Sequence, residues 1–162
     1  MSREKSDESG ELAELRAQVG REAQALQAAV DAVDQAAATN LGVNRTDLRC
    51  LEVLWHGEST PGALAAELGL TSGSVTTMLD RLAKLDYVVR HPEPGDRRKV
   101  IIRITDNAMA KVMRIYGPIA EEGAREVARY SATELRTVLD YLRRSRELQD
   151  RHRSRIADLA ER

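Results

Sequence analysis

Phenylalanine is absent from this chain and aromatic residues make up only 3% of it, so no aromatic-lined ligand pocket can be picked out from the sequence. The single cysteine, Cys50, excludes an intrachain disulfide and makes a reducing, cytoplasmic compartment the default. No apolar run is long enough to span a bilayer, and no charged-then-apolar leader opens the chain, so neither membrane insertion nor export is expected. The formal net charge is −1 with a pI near 6.3. Bulk charge therefore gives no support for a nucleic-acid partner, and any such case has to be local. Also missing are a phosphate-binding loop, a Cys/His cluster at metal-ligand spacing and a nucleophile elbow around Ser72 or Ser74. His91, Glu93 and Asp96 are close in sequence, but a proline-rich turn seldom gives ligand geometry. The expectation is a protein that is not an enzyme and has no cofactor and no metal. At 162 residues it is long enough for one globular domain with extra helices.

What is present centres on the stretch from Thr71 to Thr105. Val75, Met78, Leu79, Leu82 and Leu85 recur at three- and four-residue steps, the period of a helix with one buried side. The opposite side presents Gly73, Thr76, Thr77, Asp80 and Lys84, with Ser72, Ser74 and Arg81 at its margins, and Thr71 is a good N-cap. Hydroxyls, a small glycine and one arginine suit contacts to base edges and phosphates. Next comes Val88-Val89-Arg90-His91, then Pro92-Glu93-Pro94-Gly95, which must turn, then Asp96-Arg97-Arg98-Lys99 and a strand in which Val100, Ile102 and Ile104 define a buried face that Ile101 interrupts. Arg97, Arg98 and Lys99 are therefore expected at a protruding tip. A guanidinium there fits the negative potential of a minor groove, and Asp96 can hold a neighbouring arginine in place. From Arg81 to Arg103 the cations Arg81, Lys84, Arg90, Arg97, Arg98, Lys99 and Arg103 stand against Asp86, Glu93 and Asp96, a basic excess confined to this stretch.

The order Thr60-Pro61-Gly62-Ala63-Leu64-Ala65-Ala66-Glu67-Leu68-Gly69-Leu70, then Ser72 to Leu82, Val88-Val89-Arg90, Asp96-Arg97-Arg98 and Ile104-Thr105 resembles the winged helix-turn-helix of MarR-type transcriptional regulators. The resemblance covers roughly Val43 to Asn107. It implies a mainly α fold with a small β-wing, flanked by long N- and C-terminal dimerisation helices. It also implies a homodimer that binds double-stranded DNA as a transcriptional regulator, most commonly a repressor. Ser72, Ser74, Thr76, Thr77 and Arg81 occupy its recognition-helix positions, and Arg98, braced by Asp96, its minor-groove position. A small-molecule effector, often aromatic, that releases the DNA is a further implication. Three residues depart from the pattern: Thr77 stands where many members carry Arg, Asp86 where Gly is usual between recognition helix and wing, and Asn107 where Gly follows the second strand. Asp and Asn are the non-glycine residues that best tolerate a left-handed backbone, so both sites are expected there.

Along the chain, residues 1–10 are expected to form a disordered tail and residues 11–42 a long N-terminal dimerisation helix. Leu12, Val19, Leu26 and Val33 line that helix at seven-residue steps, a stripe that needs a partner. Residues 43–105 form the winged domain, with a helix opened by Asn44, a core cysteine at Cys50, a core tryptophan at Trp55, and a short helix between Thr60-Pro61 and Gly69. Residues 106–162 supply the C-terminal dimerisation helices, the first bent or split at Gly117-Pro118 and the second opened by the capping box Ser131-Ala132-Thr133-Glu134. The arginines of the last helix suit solvation or pairing with acidic residues of another subunit's first helix. A winged-helix module used only for protein contacts is the alternative, and its mark would be wing arginines consumed by internal ion pairs.

Overall fold

The computed structural model describes residues 2–93 and 96–160, with side chains described for residues 9–92 and 100–159. Among the described residues six helices and one ribbon follow in the order α1 (Ser2–Leu41), α2 (Arg45–Trp55), α3 (Pro61–Leu68), α4 (Ser72–Lys84), β1 (Val88–Glu93), β2 (Asp96–Ile104), α5 (Asp106–Val127) and α6 (Ala132–Ala160). The mainly helical architecture with a small antiparallel wing is the one expected. The chain divides into two compact units, Met1–Met113 and Arg114–Arg162.

In the first unit the core lies where α2, α3, α4 and the ribbon meet. Leu51 and Leu54 of α2, Leu64 of α3, Val75, Met78, Leu79 and Leu82 of α4, and Ile102 of β2 are each at most 2% exposed. Local chemistry sets the helix boundaries. The Asn44 side chain accepts from the Asp47 amide at 2.9 Å while Asp47 accepts from the Asn44 amide at 3.1 Å, a reciprocal cap at the start of α2. Thr60 caps α3 with Pro61 in its first turn, and Gly69 at φ 66 ends it in the left-handed conformation that glycine adopts without strain. Thr71 accepts from the Ser74 amide and opens α4. Cys50 is fully buried, as expected of a core thiol. Burial, with the nearby Asp47 carboxylate, pushes its pKa up to about 12.

The ribbon departs from the expected pattern. Ile101 and Ile102 are both buried, whereas Val100 is 39% exposed. Neighbouring strand residues face opposite sides, so both faces of the wing are covered at its base and simple alternation fails. Ile102 also exchanges backbone hydrogen bonds with Ser59, at 3.1 and 2.7 Å, an isolated bridge that joins the segment before α3 to the wing. Pro92 is paired with Val100 instead of starting the turn, and the ladder becomes irregular after it. Asp86 has φ 57, as expected for a left-handed position. Asn107 does not share it. It lies in the first turn of α5, and its amide donates to the Asp86 backbone oxygen and side chain at 3.3 and 3.2 Å.

α1 begins at Ser2, running through the segment expected to be a tail. That segment has no proline, and its Glu, Lys and Arg extend an existing helix at little cost. Among the side chains described in α1 only Ala37, Ala38 and Leu41 are buried, while Leu12, Leu15, Val19, Leu26, Val30 and Val33 are 41–63% exposed. Trp55, expected in the core, is 37% exposed. Its helix turns it outward one step beyond Leu54. In the second unit, the Ser131 hydroxyl and amide both donate to Glu134 at 2.7 and 2.8 Å, and the Glu134 amide donates back to Ser131 at 3.3 Å. These bonds hold the Glu134 carboxyl below its usual pKa. α5 passes through Pro118 as one helix, so it is not split there. Proline removes a single ladder bond, and Gly117 before it has no Cβ to meet the ring.

The thiol provides a check on the packing of the first unit. Native protein should react with an aromatic disulfide reagent at Cys50 orders of magnitude more slowly than unfolded protein. Comparable rates before and after denaturation would contradict a buried, protonated thiol.

Candidate nucleic-acid interface

α4 packs against β1, so the helix and the base of the ribbon are adjacent. The apolar side of α4 is fixed in the core, so its other side is exposed along the whole helix: Ser72, Gly73, Ser74, Thr76, Thr77, Asp80, Arg81 and Lys84. At about 1.5 Å per residue the helix is roughly 20 Å long, enough to reach several base pairs from a major groove. The Thr76 hydroxyl donates to the Ser72 carbonyl at 3.0 Å and the Thr77 hydroxyl to the Gly73 carbonyl at 3.1 Å. The Ser74 and Thr71 hydroxyls share a hydrogen bond at 2.9 Å.

Arg81, expected at a recognition-helix position, also has a partner inside the protein. Its Nε donates to Asp47 Oδ2 at 2.8 Å and its Nη2 to Oδ1 at 2.5 Å, a two-pronged pair. Asp47 is wholly buried, while the Arg81 side chain is 43% exposed. The hydrogen bonds to Asp47 raise the Arg81 pKa further above its ordinary value. Asp47 thus ties this arginine between α4 and the start of α2 through Nε and one Nη2 hydrogen, while both Nη1 hydrogens and the second on Nη2 have no bond among the described residues. Reading the chain helix by helix misses the pair, because 34 residues separate its members. The spacing of Asn44 and Asp47 showed the cap but not its second use.

Two further ion pairs tie the ribbon down. Arg90 of β1 donates to Asp80 of α4 at 2.7 Å, and Arg103 of β2 pairs with Glu58 before α3. Sequence reasoning placed Asp80 on the outward face without a role, and Arg90 makes it a fixed carboxylate there. Thr105 and Asn107 both donate to the Asp86 carbonyl, clasping the point where α4 passes into β1. Tyr87, buried beside it, donates to the Leu41 carbonyl at 2.8 Å, and Lys111 donates to the Tyr87 hydroxyl at 3.3 Å. The backbone of Asp96, Arg97, Arg98 and Lys99 lies in β2. Their side chains lie outside the described residues, as do Pro94 and Gly95, so the bracing expected of Asp96 has no geometry here.

Residues 41–99 match the model of the MarR family. The HTH-type transcriptional regulator YcgE of Bacillus subtilis strain 168 is 32% identical over 123 residues, 75% of this chain and 80% of that protein. The chain belongs to the MarR family. It is thus related to transcriptional regulators, and solved structures repeat the MarR fold. Wild-type MarR from E. coli in its apo form gives a TM-score of 0.54 at 25% identity, covering 78% of this chain and 94% of that one. The regulator Tm0710 from Thermotoga maritima gives 0.58 at 21% identity, covering 83% and 95%. α3 and α4 are the helix-turn-helix of this MarR-family chain, and β1 and β2 its wing. Among the described residues no helix is long and apolar enough to cross a membrane.

If Arg81 is a strut, its loss should be felt without DNA. Arg81→Ala should lower the unfolding free energy by about 3 kcal/mol, since it strips the partner from a buried carboxylate. The Asp47→Ala/Arg81→Ala double variant should lose at least about 1 kcal/mol less than the sum of the single losses in urea denaturation. Additive losses would remove the pair from the stability of the fold.

Proposed function

We propose that this MarR-family chain is a sequence-specific DNA-binding repressor that works as a homodimer on a palindromic operator. Each subunit lays α4 in a major groove, with Ser72, Ser74, Thr76 and Thr77 on base edges and phosphates. Arg97, Arg98 and Lys99 of the wing track the adjacent minor groove, with Asp96 bracing Arg98. Arg81, held by Asp47, adds a donor at the margin of the same face and fixes the angle of α4. Two-fold symmetry sets the half-sites about one helical turn, near 34 Å, apart. The observation that carries this reading is the outward face of α4, exposed and hydroxyl-bearing along its length while the opposite face is anchored in the core. Self-association is supported by the exposed apolar stripe of α1 from Leu12 to Val33, which leaves large hydrophobic side chains in water when unpaired. An effector would act by favouring a subunit spacing mismatched to the operator.

One observation favours the rival reading of a protein-contact module. Arg81, Arg90 and Arg103 are engaged with Asp47, Asp80 and Glu58, which leaves the local basic excess to the wing tip and Lys84. Salt separates the two readings, because phosphate contacts release counterions and make duplex affinity fall with ionic strength.

Selection of bound duplexes from a random pool tests the proposal directly. It should enrich an inverted repeat with half-sites about one turn apart. Enrichment of nothing, or of unpaired half-sites, would contradict a dimer on DNA. On the selected site, Arg98→Ala should weaken binding by about 1–3 kcal/mol. Unchanged affinity would take the wing out of the mechanism.

A further inference from the structure

We infer that the base-reading face of α4 is a hydrogen-bond acceptor surface, in which Thr76, Thr77 and Asp80 recognise exocyclic amino groups, cytosine N4 or adenine N6, in the major groove. The inference rests on the DNA-binding reading and specifies the chemistry of its operator.

Three features converge on it. First, a carbonyl only accepts, so the bonds from Thr76 to Ser72 and from Thr77 to Gly73 fix both hydroxyl protons inward along the helix. The outward lone pairs of Oγ1 then accept, and each γ-methyl is left free to touch a thymine methyl. Second, Asp80 is one helical turn beyond Thr76 on the same face, its side chain 51% exposed. A bare carboxylate facing DNA would be repelled by phosphates. Arg90 donates to Oδ1 at 2.7 Å, which offsets that charge and leaves Oδ2 as an acceptor. Carboxylates pair with the cytosine amino group, which makes Asp80 an acceptor for it. Third, Gly73 lies one turn before Thr76 and Thr77. A Cβ there would meet nothing within 4 Å, and its backbone is not left-handed, so the chain's own packing does not call for glycine. Glycine inside a helix is unfavourable relative to alanine. An open notch at this position gives a base edge room to approach the backbone between the acceptors and the helix start.

The face therefore reads, turn by turn, as notch, paired acceptors with methyls, and charge-balanced acceptor. Guanine offers only acceptors in the major groove, O6 and N7, and finds no donor among these three side chains.

The test uses the full chain and the duplex obtained from pool selection. Single adenines or cytosines of a half-site are replaced by purine or 2-pyrimidinone, which lack the amino group, and single guanines by 7-deazaguanine, which lacks N7. Removing the amino group at one or two base pairs should weaken binding roughly tenfold or more. That loss should disappear in the matching variant among Asp80→Ala, Thr76→Val and Thr77→Val, while any effect of 7-deazaguanine should persist in all three. The inference is overturned if guanine N7 removal is the change that one of these variants ceases to feel. It is equally overturned if the variants lower affinity by one factor on every duplex, the result expected of phosphate contacts or of a simple brace between Asp80 and Arg90. In either case the regulator reading survives. Absence of salt-sensitive duplex binding would remove both.

Discussion

The ion pair between Asp47 and Arg81 is the constraint on which the geometry of the first unit depends. A carboxylate with no solvent exposure is tolerable only when its oxygens are satisfied, and here the Asn44 amide and the two-pronged guanidinium do so. The same carboxylate closes the start of α2 and fixes the C-terminal half of α4. Hydrophobic packing of Val75, Met78, Leu79 and Leu82 decides which side of α4 faces inward, but packing alone permits a sliding helix. A directional pair between two helices removes that freedom. A helix that must present hydroxyls to a partner of fixed groove geometry needs its rotation and height set in this way, and the exposed residues inherit their positions from the buried ones.

Charge in this chain is arranged by pairing instead of by accumulation. Net charge is near zero, and three of the cations in the proposed contact stretch have carboxylate partners. Two of those pairs, Arg90 with Asp80 and Arg103 with Glu58, are exposed and contribute little stability individually. Their use is positional: they hold the ribbon against α4 and against the segment before α3. The remaining cations then act against a stationary background, which suits recognition more than indiscriminate attraction to any polyanion.

Much of the fold was legible in the sequence, for identifiable reasons. The three- and four-residue spacing of apolar residues located α4, and Thr60, Thr71 and Ser131 marked helix starts because their hydroxyls satisfy amides a few residues ahead. Glycine-like behaviour at Asp86 was also legible, since few side chains tolerate that backbone. What was not legible came from contacts between residues far apart in the chain. The pairing of Arg81 with Asp47 was hidden because nothing local says that Asp47 is within its reach. Ile101 looked like a break in a strand because covering both faces of a ribbon is a tertiary event, and the pairing of Ser59 with Ile102 has no periodic signature. Asn107 was read by analogy with a glycine, and it turned out to serve Asp86 through its side chain.

The hydroxyl of Tyr87 reaches across 46 residues to the last turn of α1. A long helix whose described outer turns are mostly wetted has few tertiary contacts to resist fraying, and this bond anchors its last turn. Openings of α1 should thus grow easier with distance from Leu41 along its described, wetted turns. Whatever pairs with the apolar stripe would thereby damp a motion whose fixed end is already wired, through one phenol, to the root of the wing.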